Sequence, residues 1–425
     1  MAKVKSTADK IQPRIDYTLL KSLGVLAFDF DNEYPNRCID ITNDSGTAKT
    51  CIDIFTKFIT GRGFSDESFG KKVVNRNGLT VDKLKRKVDK SIAKHQGIAI
   101  HFNYNALGQK TELNFIPFQN VRLGNPEDKD KKDKYLVYDN WDNKKGPIKK
   151  DKIDVIDKYD PLAVMEQVDQ CEGDTLEEKF QSYKGQLFYW TPNGPDEYTE
   201  AIYDAVLEDM QTEAMIKRFR YSSSSRNFLA SHIVVTGKEE VSEEDYNRDY
   251  PNEEDAEHTE HPYREEEEHG SIAENIAEFQ GGEGVGVVHV ELEGDDDTFR
   301  LEKVELQDYD GLFEYTEQSA KNAIREQFQI PPVLFMSQAK SSVASSNEIT
   351  DAKIYYNDIT EPWRDLESRI FEEIFDGFVY DVNPSGDYSI LPLKAEKPIP
   401  KDYTQYFEED EIRHSLGYPP RKPER

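Results

Sequence analysis

Cysteine is scarce here. Cys38, Cys51 and Cys171 are the only three among 425 residues. They are too widely spaced for a C-x-x-C zinc pair and too few for a disulfide framework, so buried apolar packing is the expectation for them. No apolar run approaches the roughly 20 residues that cross a bilayer, and Met1, Ala2, Lys3, Val4 and Lys5 open no signal-peptide core. The expectation is a protein made and kept in the cytosol, with no membrane partner. Positive charge is in deficit, with 54 Lys and Arg against 84 Asp and Glu, a net charge of -30. Such a surface repels phosphates and gains nothing from counterion release, which disfavours ordinary nucleic-acid binding through a basic face. Phosphate-cradling loops are missing too. Ser45-Gly46-Thr47-Ala48-Lys49-Thr50 lacks the first glycine and spacing of a P-loop, and Gly282, Gly284 and Gly286 precede a strand rather than a helix. No cofactor is expected.

What is abundant is carboxylate. Residues 239 to 268 carry fifteen Asp and Glu against Arg248 and Arg264, a composition that cannot pack and is expected to be mobile in the isolated chain. A carboxylate-dependent nuclease would need its ligands fixed by surrounding hydrogen bonds, which this segment is least able to supply. His258, His261 and His269 lie beside it, and the spacing of His258 and His261 suits a metal, but on such a loop adventitious affinity is the expected outcome. Lys129 to Lys152 is rich in lysine, yet interleaved Asp130, Asp133, Asp139, Asp142 and Asp151 cancel its field, and a solvated loop is expected. The reading is non-enzymatic, with no catalytic residue and no metal site.

The elements alternate in type. Residues 1–37 read as an N-terminal arm, with the stretch around Asn36 a poor place for regular structure. From Ser45, a capping residue, Ala48, Cys51, Ile52, Phe55, Phe58 and Ile59 recur at helical spacing until Gly61 and Gly63. Thr80 caps a second helix bearing Val81, Leu84, Val88, Ile92 and Ala93. Ile98 to Tyr104 and Leu113 to Ile116 read as a hairpin, with short strands following near Val121, Tyr135 to Tyr138 and Leu187 to Trp190. A long helix is predicted from Asp196 to beyond Tyr221. Phe228 to Val235 reads as a strand, and Val285 to Leu292 and Phe299 to Leu306 as a pair of strands. Helix returns at Asp310 with Leu312, Tyr315, Ala320, Ala323, Ile324 and Phe328, and is broken by Pro331 and Pro332. A small polar segment, Met336 to Ser346, precedes a last long helix that displays Ile349, Ala352, Tyr355, Ile359, Trp363, Leu366, Ile370 and Ile374, with a kink predicted at Pro362. Strand-like Phe378 to Val382 and Tyr388 to Leu391 follow, and a short acidic helix leads to the basic Arg421, Lys422 and Arg425.

This succession resembles the portal, or head-to-tail connector, proteins of tailed bacteriophages across nearly the whole chain. The most specific stretch runs from Gln327 to Phe375: Gln-Phe-Gln-Ile-Pro-Pro, the small polar loop, Asn-Glu-Ile, and a helix broken at Glu361-Pro362. A weaker likeness lies in Thr50 to Phe64, which ends in Gly61-Arg62-Gly63-Phe64. The resemblance implies an α+β portal-protein fold with wing, stem helices, small α/β clip and kinked tunnel helix. Its expected parts are an arm (1–37), a wing (38–195), a stem helix (196–225), a clip (226–308) with the acidic loop, a second stem helix (309–330), a tunnel loop (331–346), a kinked helix with the rest of the wing (347–400), and a short crown or tail segment (401–425).

The function the resemblance implies is a DNA conduit at one capsid vertex, for genome packaging and ejection. The family's ring is usually twelvefold; its other partners are the major capsid protein, the terminase large subunit and a head-completion adaptor, and its setting is the virion, with the host cytoplasm during assembly. By the same resemblance Gln338, Lys340, Ser341, Ser342 and Ser345 line the narrowest part of the channel. Pro331, Pro332 and Pro362 act as hinges. Glu314, Glu317 and Glu326, together with Glu208, Asp209 and Glu213, are candidates for channel-facing acids. The physics fits: small side chains let a loop shift as double-stranded DNA passes without sequence specificity, and acidic walls keep the duplex from sticking. The alternative from composition alone is an acidic oligomeric structural or scaffold protein without a channel.

Overall fold

The computed structural model describes residues 19–225, 232–237, 287–292, 300–303, 309–335 and 346–395, with residues 408 and 410. The chain divides into two units, one of Met1–Met210 with Ala323–Arg425 and the other of Gln211–Asn322. Among the described residues no helix is long and apolar enough to cross a membrane.

In the first unit, β1 (Leu19–Leu20) and β2 (Val25–Leu26) form a small antiparallel pair ahead of α1 (Tyr34–Asp44) and α2 (Gly46–Thr60). Regular structure therefore begins before Arg37, contrary to expectation. Pro35 sits in the first turn of α1, where its missing N–H costs nothing, and Tyr34, Cys38 and Ile41 are buried. The Ser45 hydroxyl accepts from the Ala48 N–H at 3.0 Å, the predicted cap of α2. Two-residue β3 (Gly63–Phe64) and short α3 (Glu67–Gly70) lead to α4 (Val81–His95), capped by Thr80.

A six-stranded sheet follows from β4 (Ile98–Tyr104), β5 (Lys110–Phe115), β6 (Val121–Leu123), β7 (Lys134–Val137), β8 (Asp154–Lys158) and β9 (Gln186–Trp190), in the order β5-β4-β9-β8-β7-β6. All its pairings are antiparallel except β8 with β9, whose connection carries α5 (Val164–Asp169) and α6 (Leu176–Ser182). The lysine-rich stretch thus contributes a strand as well as loops, with Lys134 on Asp157 at 3.3 Å and Lys145 on Asp139 at 2.8 Å. Cys38 and Cys51 are buried in the core as expected; Cys171 is only partly covered.

The helix predicted from Asp196 begins eleven residues later, as α7 (Leu207–Ser225). Tertiary hydrogen bonds hold the preceding segment in an irregular path. The Tyr198 hydroxyl donates to Leu26 O at 2.7 Å and accepts from the Leu123 N–H at 2.9 Å, and the Tyr203 hydroxyl donates to Lys94 O at 2.7 Å. The Tyr198 ring also stacks on Phe28 with centroids 3.9 Å apart.

In the second unit, β10 (His232–Gly237) lies between β11 (Val287–Leu292) and β12 (Arg300–Lys303). The two strands predicted to pair with each other pair instead with β10, β11 in parallel and β12 antiparallel. A parallel partner needs a long connection, and 49 residues separate the two strands in sequence. The acidic run and its histidines lie outside the described residues.

The helix α8 (Tyr309–Gln327) stops four residues short of Pro331, and α9 (Ser346–Phe375) is the longest helix described, at 30 residues. Of the two strand-like runs expected after it, only β13 (Ile390–Leu391) forms, antiparallel to β3. Phe378 makes a single bridge to Lys110 and Asp381 lies exposed, so the first run finds no partner strand.

Candidate functional site

The sequence points to the helices on either side of the three-stranded sheet and to the junction after α8. Within the second unit, Glu317 of α8 is 8% exposed. It accepts from Arg220 of α7 and from Lys321 one turn along its own helix. Burial pushes its pKa upward, but the Lys321 and Arg220 cations outweigh that and hold it below the ordinary glutamate range. Phe219 and Phe313 meet beside this cluster with ring centroids 5.1 Å apart. An open cleft of about 420 Å³ is lined by Arg220, Glu314, Glu317, Gln318 and Lys321. Glu213 of α7 is likewise buried, with Lys217 at 2.6 Å.

The three candidate acids of α8 thus have different settings. Glu314 and Glu326 are exposed, whereas Glu317 is covered and neutralised by two cations. On α7, Glu208 is exposed and Asp209 half-buried.

In the first unit, the end of α8 is held on both sides. The Gln327 amide donates to Ile202 O at 2.7 Å, and the Tyr356 hydroxyl of α9 donates to Phe328 O at 3.0 Å. Gln329 turns the backbone with φ of 52°, and Pro331 opens a short 3-10 turn, Pro332–Phe335. The Arg325 guanidinium lies over the Phe335 ring at 4.9 Å. Sequence reading missed this contact, because nothing in a lone arginine marks the ring it will cover. Gln338, Lys340, Ser341, Ser342 and Ser345 lie outside the described residues.

The helix α9 runs through Pro362 without interruption. Proline removes a donor from this turn, and polar side chains crowd the carbonyls before it. Thr360 Oγ1 donates to Tyr356 O at 2.8 Å, and Arg364 Nη2 donates to Asn357 O at 2.7 Å. Arg364 Nη1 also reaches Phe58 O of α2 at 3.0 Å.

One turn further lies a buried ionic cluster that sequence reading also missed. Lys85 Nζ of α4 donates to Asp89 at 2.8 Å, to Glu367 of α9 at 2.7 Å and to Ile59 O of α2 at 3.3 Å. The three side chains are 0–1% exposed, and the Thr60 hydroxyl donates to the second oxygen of Asp89. With two carboxylates to one cation, the pKa of Glu367 is pushed well above the ordinary glutamate range, first by burial and then by Asp89, against the pull of Lys85. Lys85 loses stability for its charge through burial, yet Glu367 and Asp89 more than offset this and raise its pKa.

At the far end of α9, Lys110 of β5 is buried with Nζ donating to Tyr159 Oη at 2.8 Å and to Glu373 O and Ile374 O at 3.2 Å, capping the helix. Burial lowers its pKa to about 8. Among the described residues, no group of three or more His, Cys, Asp and Glu could hold a metal ion.

No family model matches this chain, and no curated protein matches it. Solved structures do resemble it. One is a chain of the neck of an empty GTA particle computed with C6 symmetry, 11% identical, with 90% of this chain and 94% of that chain covered and a TM-score of 0.44. Another, from the virion of a native gene transfer agent particle, is 12% identical over 90% of this chain and 94% of that one, with a TM-score of 0.43. A third, from the neck of a native GTA particle computed with C12 symmetry, is 12% identical over 91% and 95%, with a TM-score of 0.40.

Proposed function

We propose that this chain is a portal subunit, closing with copies of itself into a ring through which double-stranded DNA enters and leaves a capsid. The observation that carries the reading is the order of elements: a 19-residue helix, a three-stranded sheet, a second 19-residue helix, a double proline shortly after it, and a 30-residue helix with Pro362 inside. Each 19-residue helix is roughly 28 Å long, enough to wall a passage several base pairs deep. Side-to-side contacts that close by rotation would build the ring, which we take to be twelvefold.

In this reading the channel takes its acidic character from exposed carboxylates such as Glu314 and Glu326, which keep the duplex centred by repulsion. Glu317 serves a different end, tying α8 to α7 through Arg220. Residues 338–345 form the loop nearest the DNA, and Pro331, Pro332 and Pro362 let it move between stiff helices. The protein does no chemistry. An ATP-driven terminase would dock on the ring during filling, and a neck adaptor would replace it afterwards.

Electron microscopy of the purified recombinant chain tests this directly. The expected image is a ring with a central passage wide enough for a duplex. A monomer, or an assembly filled at its axis, under every condition tried would refute the proposal and favour a scaffold without a channel.

A further inference from the structure

The far end of α9 opens on a groove that the channel reading does not use. One hollow of about 660 Å³ is lined by Glu372, Asp376, Asp381, Phe378, Tyr380 and Tyr388, among others. A second, of about 600 Å³, includes Asp133, Tyr159 and Asp160. Glu373 and Asp376 belong to both, so the two hollows adjoin. Six carboxylates line them against two cations, Arg369 and Lys158, and Lys158 is engaged by Asp196 at 2.7 Å. Lys110 lines neither hollow; its buried ammonium is turned to helix carbonyls and Tyr159, with Asp376 and Glu373 near enough to act on its charge. The walls combine aromatic rings with an excess of negative charge, and the carbonyl end of α9 adds to that field. Beyond Pro161 the surface continues as Leu162, 95% exposed, and Met165, 41% exposed. The whole is suited to an extended, basic, proline-containing peptide, whose cations and ring faces such a groove recognises.

The sequence contains one such peptide. Residues 418–425 read Tyr-Pro-Pro-Arg-Lys-Pro-Glu-Arg, with prolines that pre-set an extended backbone and three cations against one carboxylate. They lie outside the described residues, and their reach is ample. Tyr388, in the groove wall, stands seven residues before Ala395, at most about 25 Å away, and a further 23 residues lead to Tyr418. A tether of this length keeps a ligand at an effective concentration near the millimolar range.

We infer that the groove at the end of α9 holds residues 418–425 of the same polypeptide, with Arg421 and Lys422 against Asp376 and Asp381 and the prolines against Tyr380 and Tyr388. The contact is an intramolecular clasp. It closes the segment after β13 back on α9, the helix that the channel loop runs into.

The test uses full-length chains and a fluorescently labelled synthetic peptide, Tyr418–Arg425. The variant Arg421→Gln/Lys422→Gln/Arg425→Gln should leave its own groove open and bind the peptide at least ~10-fold more tightly than wild type does. Adding Asp376→Lys and Asp381→Lys, both exposed positions, should abolish that binding in a chain that circular dichroism shows to be folded. Equal binding by wild type and the open variant, or binding that survives the two lysines, overturns the inference, as does no binding at all. A groove-reversed chain that blocks the peptide when mixed with the open variant would assign the segment to a neighbouring copy and overturn the intramolecular clasp. None of these outcomes depends on whether a ring forms.

Discussion

Replacing Lys85 by methionine strikes the point where α2, α4 and α9 are joined. The ammonium is 1% exposed and makes three hydrogen bonds, two of them to buried carboxylates. Methionine fills much the same volume, so little of the effect comes from a cavity. What it leaves is Asp89 and Glu367 facing each other without a cation. Removing one partner of a buried ion pair costs roughly 3–5 kcal/mol, because the remaining charge has neither water nor a counterion. At about 2 °C per kcal/mol for a unit of this size, the melting temperature should fall by roughly 6–10 °C, read by circular dichroism or calorimetry. Replacing all three residues together, Lys85→Met with Asp89→Leu and Glu367→Leu, should recover most of that loss, since apolar replacement of a whole buried cluster is often neutral.

The pH dependence follows from the same cluster. Glu367 has a folded pKa raised above its unfolded value, so the folded state binds the extra proton and stability declines as pH rises above the ordinary glutamate range. Lys85 is also raised, so its contribution is complete below the ordinary lysine value and is lost as pH rises through the folded value. Glu367→Gln imitates the protonated acid and should flatten the decline of melting temperature as pH rises above the ordinary glutamate range, relative to wild type. A Lys85→Met variant within about 1 kcal/mol of wild type would refute the argument.

Glu317→Gln should cost on the order of 1 kcal/mol at pH 7, discounted for the partial exposure of Arg220 and Lys321. Because its folded pKa is lowered, that cost should vanish in acid as the wild-type carboxylate protonates, which paired melts at pH 7 and pH 3 would read. Tyr198→Phe leaves the Leu123 N–H and Leu26 O without their partner and should destabilise by about 1–3 kcal/mol in urea unfolding; a neutral result would mean the hydroxyl does not pin the segment before α7. Deleting Gln338 to Ser345 should leave rings assembled in electron micrographs but impair DNA packaging or retention, and unchanged packaging would remove the proposed tunnel role. Shortening Glu243 to Glu267 should barely move the melting temperature, whereas a loss of several degrees would show that the acidic run is structural.

Local rules carried the sequence reading wherever one element's own residues decide its shape. Ser45 and Thr80 could be recognised as caps because a cap is made within four residues, and the β4–β5 hairpin because alternation and a turn are both local. The reading failed where a distant partner decides. Asp196 to Val206 has helical spacing, but Tyr198 and Tyr203 each find a backbone carbonyl far away in sequence, and those bonds outweigh propensity. The pairing of β10 with β11 and β12 depends on which strand occupies the centre, which no single strand records.

The helix α9 shows the same limit within one element. Its apolar stripe was read through Tyr355, which is 57% exposed, while Tyr356 is fully buried, because the covered face also takes in Thr360, Arg364 and Glu367. A search for apolar periodicity discounts those three residues by design. Arg364 and Glu367 are admitted to the interior by partners on other helices, Phe58 O and Lys85, while Thr360 is satisfied within α9 by Tyr356 O and Arg364. Polar residues inside a helix are thus legible only after the neighbouring helices are in place. In this chain Arg364 and Glu367 join α9 to α2 and α4, so that the three helices are held by a buried charge and not by apolar contact alone.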